Sequence, residues 1–352
     1  MSAAVQLVVP GPLGQRTGGY IYDRRMVEGL RALGWPVDVH ELAGRFPIVN
    51  EVAIAAARQA VAAMPAGSLP VIDGLALPAF REQLAGLPPR PWVALVHHPL
   101  ALETGLDAAD AAALADMERR MFAAADRVIV TSPQTPGDLA GYDVEESRVG
   151  VVLPGTERAA LARGSGGPDI GLLCIASLTP RKGHLVLLEA LAGLRDLPWQ
   201  LTCVGSPKRD PAMARAIGAA IGRHALGPWV QLIGEQTEAG LQPYYDAADL
   251  FVLASHHEGY GMVLAEALAR GLPIVATAAG AIPDTVPAAA GILVPPGDPA
   301  ALAAALRRVL TEPGLRQDLA AGARTARERL PSWADAAQAF AAELDLASGA
   351  AA

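Results

Sequence analysis

At 352 residues the chain is long for one hydrophobic core and predicts two domains. Its net charge of −8 excludes a nucleic-acid surface and argues against basic helices lying on an anionic membrane. No run approaches the roughly 20 apolar residues of a membrane span, and no basic segment precedes the first apolar run at 5–9, so a cytoplasmic location is the expectation.

Short apolar runs alternate with amphipathic ones, the pattern of parallel-sheet α/β units. The first half predicts strands over 5–9, 36–40, 69–73, 92–97, 127–131 and 149–153. Helical periodicity falls at 20–33, 52–64, 109–125 and 135–140. The first strand runs into PGPLGQRTGGY, where Gly18 and Gly19 precede a helix and let backbone amides approach a phosphate or a sugar. The G-x-G-x-x-G fingerprint is missing, although Glu41 lies about 20 residues further on, so a NAD site is the weaker reading. Strand 69–73 closes on Asp73, and strand 92–97 closes on His97, followed by His98. Ligands bind at the carboxyl ends of such strands, so these are candidate substrate contacts, with a merely structural imidazole as the plain alternative.

Residues 157–169 (ERAALARGSGGPD) form a polar, glycine-rich break that reads as a linker. The rhythm then restarts, with strands over 171–177, 200–205, 229–233, 250–254, 273–277 and 291–294. Helices are expected at 182–194, 213–224, 239–247, 262–270 and 299–310, with 314–329 and 332–345 closing the chain. The fold class expected is α/β, two Rossmann-like domains (1–160 and 161–330) facing a cleft, with the C-terminal helix within 331–352 crossing back to the first domain.

Cys174 and Cys203 fall in apolar runs without metal-ligand spacing and read as small buried hydrophobes. Lys182 and Lys208 are the only lysines, so 26 of the 28 basic residues are arginine. Lys182 stands in LTPRKGH, after a strand and at a predicted helix start that Thr179 and Pro180 would open. Two cations, Arg181 and Lys182, beside exposed amides suit a diphosphate, although such pairs are often simply solvated. In HEGYGMVLAE, Glu258 and Glu266 stand eight apart around Gly259 and Gly261, after strand 250–254. A carboxylate there can grip a sugar diol while the helix start grips an anion; the bland reading is a glutamate complementing the helix dipole. No metal is expected, since no carboxylate pair is placed as a divalent clamp.

These segments resemble the retaining family-4 glycosyltransferases of GT-B fold. SLTPRKGHLVLLEALAGL, ADLFVLASHHEGYGMVLAEALARGLPIVATAAGAIPDTV and GILVPPGDPAALAAAL carry the resemblance, which runs from TGGYIYDRR to the closing WADAAQAF. It implies an acceptor-binding first domain and a second domain that binds a nucleotide-diphosphate sugar. It assigns Glu258 to the donor sugar, Glu266 to the ribose and Lys182 to the diphosphate. The amides of Gly261, Met262 and Val263 are assigned to sugar or phosphate oxygens, with Gly18 and Gly19 near the donor. His97 becomes an active-site contact, and Tyr20, Asp73 and His98 become candidate acceptor contacts. Ser177 stands where many relatives carry a phosphate-binding arginine, and Arg181 is the available substitute. No cofactor is implied beyond the nucleotide-sugar co-substrate. The acidic first half, which holds no lysine, favours a soluble small-molecule acceptor over a lipid. The competing readings are a nucleotide-sugar epimerase or other non-transferring enzyme of the same fold, and a two-domain binding protein without chemistry.

Overall fold

The computed structural model describes residues 3–82, 91–103 and 105–349. The chain divides into two compact units, Met1–Gly155 with Pro331–Ala352, and Thr156–Leu330. Each is built on a six-stranded sheet whose neighbouring strands all run parallel. No helix among the described residues is long and apolar enough to cross a membrane.

In the first unit the strands are β1 (Val5–Pro10), β2 (Val37–Leu42), β3 (Leu69–Asp73), β4 (Val93–Val96), β5 (Arg127–Val130) and β6 (Val149–Val151), ordered β2-β1-β3-β4-β5-β6. Both faces are covered, which is why β1, β3 and β4 are largely apolar without alternation, with Gln6 and Asp73 as buried polar exceptions. One face packs under helices Glu51–Ala63 and Ala108–Ala124 around Phe80, Trp92 and Phe122. The other packs under helix Gly18–Ala32 and the final helix Trp333–Ser348 around Tyr22, Met26 and Phe340.

The final helix therefore belongs to the first unit, as expected. A Cβ on Gly29 would stand 2.4 Å from the Ala337 Cβ, so only a glycine lets the two helices approach this closely. A capping box joins Ser332 and Asp335 at the helix start. The expected helix 20–33 begins two residues earlier than read, so Gly18 and Gly19 are its first residues and do not precede it.

The second unit holds β7 (Ile170–Ile175), β8 (Trp199–Val204), β9 (Val230–Leu232), β10 (Leu250–Leu253), β11 (Ile274–Thr277) and β12 (Gly291–Val294), ordered β12-β11-β10-β7-β8-β9. Its core gathers Trp199, Phe251, Leu264 and Leu306, with the Trp199 indole donating to the Leu194 carbonyl at 2.8 Å. The glycine-rich stretch read as a linker is tied to this unit: the amides of Ala162, Arg163 and Gly164 donate to the carbonyls of Arg270 and Asp246. Its polarity reflects backbone groups satisfied without a regular partner strand.

Both sheets contain a point where the strand order reverses. In the second, β7 lies between β10 and β8, so the connections leaving β7 and β10 depart to opposite sides. A crevice outside the carboxyl ends of two such strands is where open α/β sheets place ligands. Lys182 follows β7 and Glu258 follows β10, so two motifs far apart in sequence start from neighbouring strands.

Candidate donor site and the cluster around His97

Strand β7 leads into a 3-10 turn, Pro180–Lys182, and helix His184–Ala192 starts only after Gly183. This corrects the expected helix over 182–194: Lys182 ends the turn ahead of the helix. Gly183 is left-handed (φ +64°), and a Cβ there would fall 1.8 Å from the Ala254 carbonyl oxygen. The turn thus lies directly against the chain leaving β10, and that contact delivers Lys182 to Glu258.

Lys182 Nζ donates to Glu258 Oε1 at 2.5 Å, and Ser255 Oγ donates to the same oxygen at 2.6 Å. Arg181 Nη1 lies 3.6 Å from Glu258 Oε2 and donates to the His257 carbonyl at 2.8 Å. Glu258 is 6% exposed. Burial alone would raise its pKa, but the Lys182 and Arg181 charges and the Lys182 and Ser255 hydrogen bonds prevail and hold it at about 2. Burial lowers the Lys182 pKa even with Glu258 beside it, and Arg181 adds to the depression. The cluster carries two cations against one carboxylate, an electrostatic surplus that suits an anion.

Helix Met262–Ala269 starts at left-handed Gly261 (φ +84°) with no side-chain cap. First-turn amides of an α-helix have no intrahelical acceptor, which leaves those of Met262 and Val263 as anion donors. Glu266 lies in this helix and accepts from the Tyr245 hydroxyl at 2.7 Å. Arg270 reaches the Glu266 carbonyl at 2.9 Å and lies over the Tyr245 ring at 4.0 Å. Ser255 and Tyr245 were not singled out from the sequence. Their signals, a Ser at a strand exit and a Tyr inside an amphipathic helix, are too common to be selective.

The first unit gathers a separate cluster. His97 Nε2 stands 3.1 Å from Asp23 Oδ1 and 3.2 Å from Asp73 Oδ2, with both carboxylates buried. Burial would lower the imidazole pKa, but Asp23 and Asp73 raise it to about 10. Burial pushes Asp23 up to about 6, against the pull of His97 and with Asp73 adding to the rise. Asp73 also accepts from the Leu75 amide at 2.8 Å, opening a 3-10 helix, Gly74–Phe80, that apolar periodicity did not reveal. Gly19 lies against the His97 ring, where a Cβ would come within 3.2 Å of it.

Sequence reading missed Asp23. The signal was present: Asp23 falls on the same helical stripe as Tyr22, Met26, Val27 and Leu30, and a carboxylate on an apolar stripe needs a partner. The other acceptor candidates face elsewhere. His98 Nε2 pairs with Glu103 Oε2 at 3.1 Å, and the Tyr20 hydroxyl donates to the Pro10 carbonyl. Of the adjacent histidines only His97 joins the Asp23–Asp73 cluster, because successive residues leaving a strand point to opposite sides.

Comparison with known proteins fits this architecture. The family described as Glycosyl transferases group 1 matches residues 169–312. A D-inositol 3-phosphate glycosyltransferase of Salinispora arenicola (strain CNS-205) is 35% identical over 235 residues, covering 59% of this chain and 52% of that protein. That of Salinispora tropica is 33% identical over 234 residues, covering 58% and 48%. The chain thus spans about half the length of the curated relatives it matches. Sucrose-phosphate synthase from Thermosynechococcus elongatus superposes with a TM-score of 0.86 at 24% identity, covering 99% of this chain and 100% of that one. Residues 169–312 thus carry a segment of the glycosyl transferases group 1 family, and the two α/β units share the GT-B fold of these structures. Anabaena HepE in complex with UDP and glucose, at TM-score 0.77 and 17% identity over 97% of this chain and 99% of its own, shares that fold. The matched segment contains Lys182, Glu258 and Glu266.

Proposed function

We propose that this protein moves a glycosyl group from a nucleoside-diphosphate sugar to a small, soluble, hydroxyl-rich acceptor, in the cytoplasm, with retention at the anomeric carbon and without a catalytic metal. The observation that carries the reading is the convergence of Lys182 and Arg181 on Glu258 at the β7–β10 exits, in the same unit as the helix start at Gly261. A departing diphosphate gains negative charge as the glycosidic bond breaks. Preorganised cations and amides stabilise that charge without reorganising. When the diphosphate takes Lys182 and Arg181, Glu258 is released to accept from hydroxyls of the transferring sugar, and Glu266, held by Tyr245, binds the ribose diol.

His97 contributes a charged imidazole donor between two carboxylate acceptors, a set matched to the hydroxyls of a sugar or polyol. The cluster as a whole carries an excess negative charge, which disfavours a phosphate on its own atoms. The relatives' names, D-inositol 3-phosphate glycosyltransferase and sucrose-phosphate synthase, support a polyol or sugar-phosphate acceptor. Its phosphate would then lie outside the Asp23–Asp73–His97 cluster. Solved complexes of HepE with UDP and with UDP-glucose make UDP the first nucleotide to test.

The test is a thermal-shift panel of UDP-, GDP-, ADP- and TDP-sugars, followed by product formation with inositol phosphates and sugar phosphates in the presence of EDTA. A donor at a hundred times its dissociation constant adds about 2.7 kcal/mol of stability. An α-linked product from an α-linked donor, undiminished by chelator, is expected. Donor converted without any acceptor would mark an epimerase, and activity restored only by magnesium or manganese would overturn the metal-free reading.

A further inference from the structure

We propose that Cys174, Cys203 and His184 form a binding site for one thiophilic d10 cation, Zn2+ or Cu+, in the core of the second unit. The cysteines lie 29 residues apart in the sequence, without metal-ligand spacing, but they are register partners on the adjacent parallel strands β7 and β8. In-register neighbours project to the same face of a sheet. His184, the first residue of helix His184–Ala192, covers that face. One ligand atom from each residue lies within 4.8 Å of both others, and Cys174 Sγ stands 4.0 Å from His184 Nε2.

The chemistry selects the ion. A cation about 2.3 Å from sulfur and 2.0–2.1 Å from nitrogen in a trigonal array sets the S···N separation at about 3.8 Å. The Cys174–His184 pair therefore closes on an ion with a shift of about 0.2 Å, well within what a packed core accommodates. Two thiolates balance Zn2+, and one thiolate beside one thiol balances Cu+, so either ion enters the core without net charge. Hard cations are disfavoured because the set contains no oxygen.

The imidazole points the same way. His184 is 3% exposed, its Nδ1 is buried without a hydrogen-bond partner, and Nε2 faces the Cys174 sulfur. An ion at Nε2 takes a lone pair that otherwise meets only a weak sulfur partner. All three residues are buried, so the site is structural and shielded from bulk solvent. Because His184 follows Gly183 and Lys182, the ion would fasten the turn that carries Lys182 onto β7 and β8. This inference is independent of the reading as a glycosyltransferase.

The full chain, isolated from cells grown with added zinc, is analysed for metal content. It is also unfolded and refolded with one equivalent of Co2+. One metal per chain is expected, with thiolate-to-cobalt charge-transfer absorption that the Cys174→Ala/Cys203→Ala double variant lacks. X-ray absorption at the metal edge of the loaded wild-type protein needs no variant and should find two sulfur neighbours and one nitrogen. Three results would each overturn the site: no metal by either route, charge-transfer absorption that survives the double substitution, or oxygen-only coordination. An isolated chain lighter by two hydrogens would identify the pair as a Cys174–Cys203 disulfide and overturn it as well.

Discussion

The Glu258→Gln substitution isolates the electrostatics of the donor cluster. Gln keeps the shape and an acceptor but removes the charge that balances Lys182 and Arg181. In the folded chain Glu258 titrates at about 2 against an ordinary 4.5, a difference that corresponds to about 3 kcal/mol of stability. Little of this needs discounting for solvent, because the side chain is 7% exposed. The sign follows from the depressed value: the contribution is complete above pH 4.5 and is lost as the pH falls through 2. At pH 7 the variant should therefore be less stable by about 3 kcal/mol, and the gap to the wild type should narrow below pH 4.5. Whole-chain unfolding mixes two units, so the readout is denaturant-dependent hydrogen exchange on peptides from β7 and β10, corrected for intrinsic exchange rates. A gap that is absent at pH 7, or that stays constant down to pH 3, would refute the claim that the charge of Glu258 holds the cluster together.

Lys182→Ala should lower turnover by about a hundredfold or more, the usual loss for one preorganised charge donor; near-wild-type steady-state rates at saturating donor would remove Lys182 from the site. Glu266→Gln and Tyr245→Phe should both weaken binding of the free nucleoside diphosphate, the second by about fivefold, as expected for one hydrogen bond near 1 kcal/mol. Calorimetry checks both, and unchanged affinity in Tyr245→Phe would show that the tyrosine does not brace Glu266. His97 should remain protonated at pH 8 and release its proton near 10 in the wild-type protein. Any stability it supplies is complete below its ordinary 6.5 and is lost as the pH rises through 10. Titration by imidazole NMR tests this, and Asp23→Asn should move the midpoint down; a wild-type midpoint near 6.5 would falsify the shared-carboxylate geometry.

The strands and most helices were legible because a strand buried on both faces is mostly apolar, and a helix on a sheet must keep an apolar stripe. The short pieces were not. Gly74–Phe80 is apolar throughout, so it carries no helical period, and the Asp73 carboxylate is what opens it. Lys182 and Glu258 were legible as separate candidates through lysine scarcity and the glycine context. Their pairing was not, because it depends on β7 and β10 being neighbours while their exits stand 76 residues apart. The cysteines were legible as buried, but their adjacency was not, for the same reason: parallel strands bring distant residues into register.

The two motifs of the donor cluster are conditional on each other. A buried ammonium without a counter-ion tends to deprotonate, and an isolated buried carboxylate tends to take up a proton. Lys182 is already depressed by burial, so its charge in the ligand-free chain depends on Glu258, and the low pKa of Glu258 depends on Lys182 and Arg181. Neither residue can be read as an independent binding group. Under the proposed function, an arriving diphosphate would exchange one anionic partner of Lys182 for another, so the ammonium would not be desolvated again on binding. Most of that desolvation has been incurred in folding, which is what preorganisation requires of a site that must stabilise charge in a transition state. The same dependence gives a reason for lysine here in a chain whose cations, Lys208 apart, are otherwise arginine. A compact ammonium can pass between a carboxylate and a phosphate with a small rotation of its stem, whereas a planar guanidinium must re-form a fork.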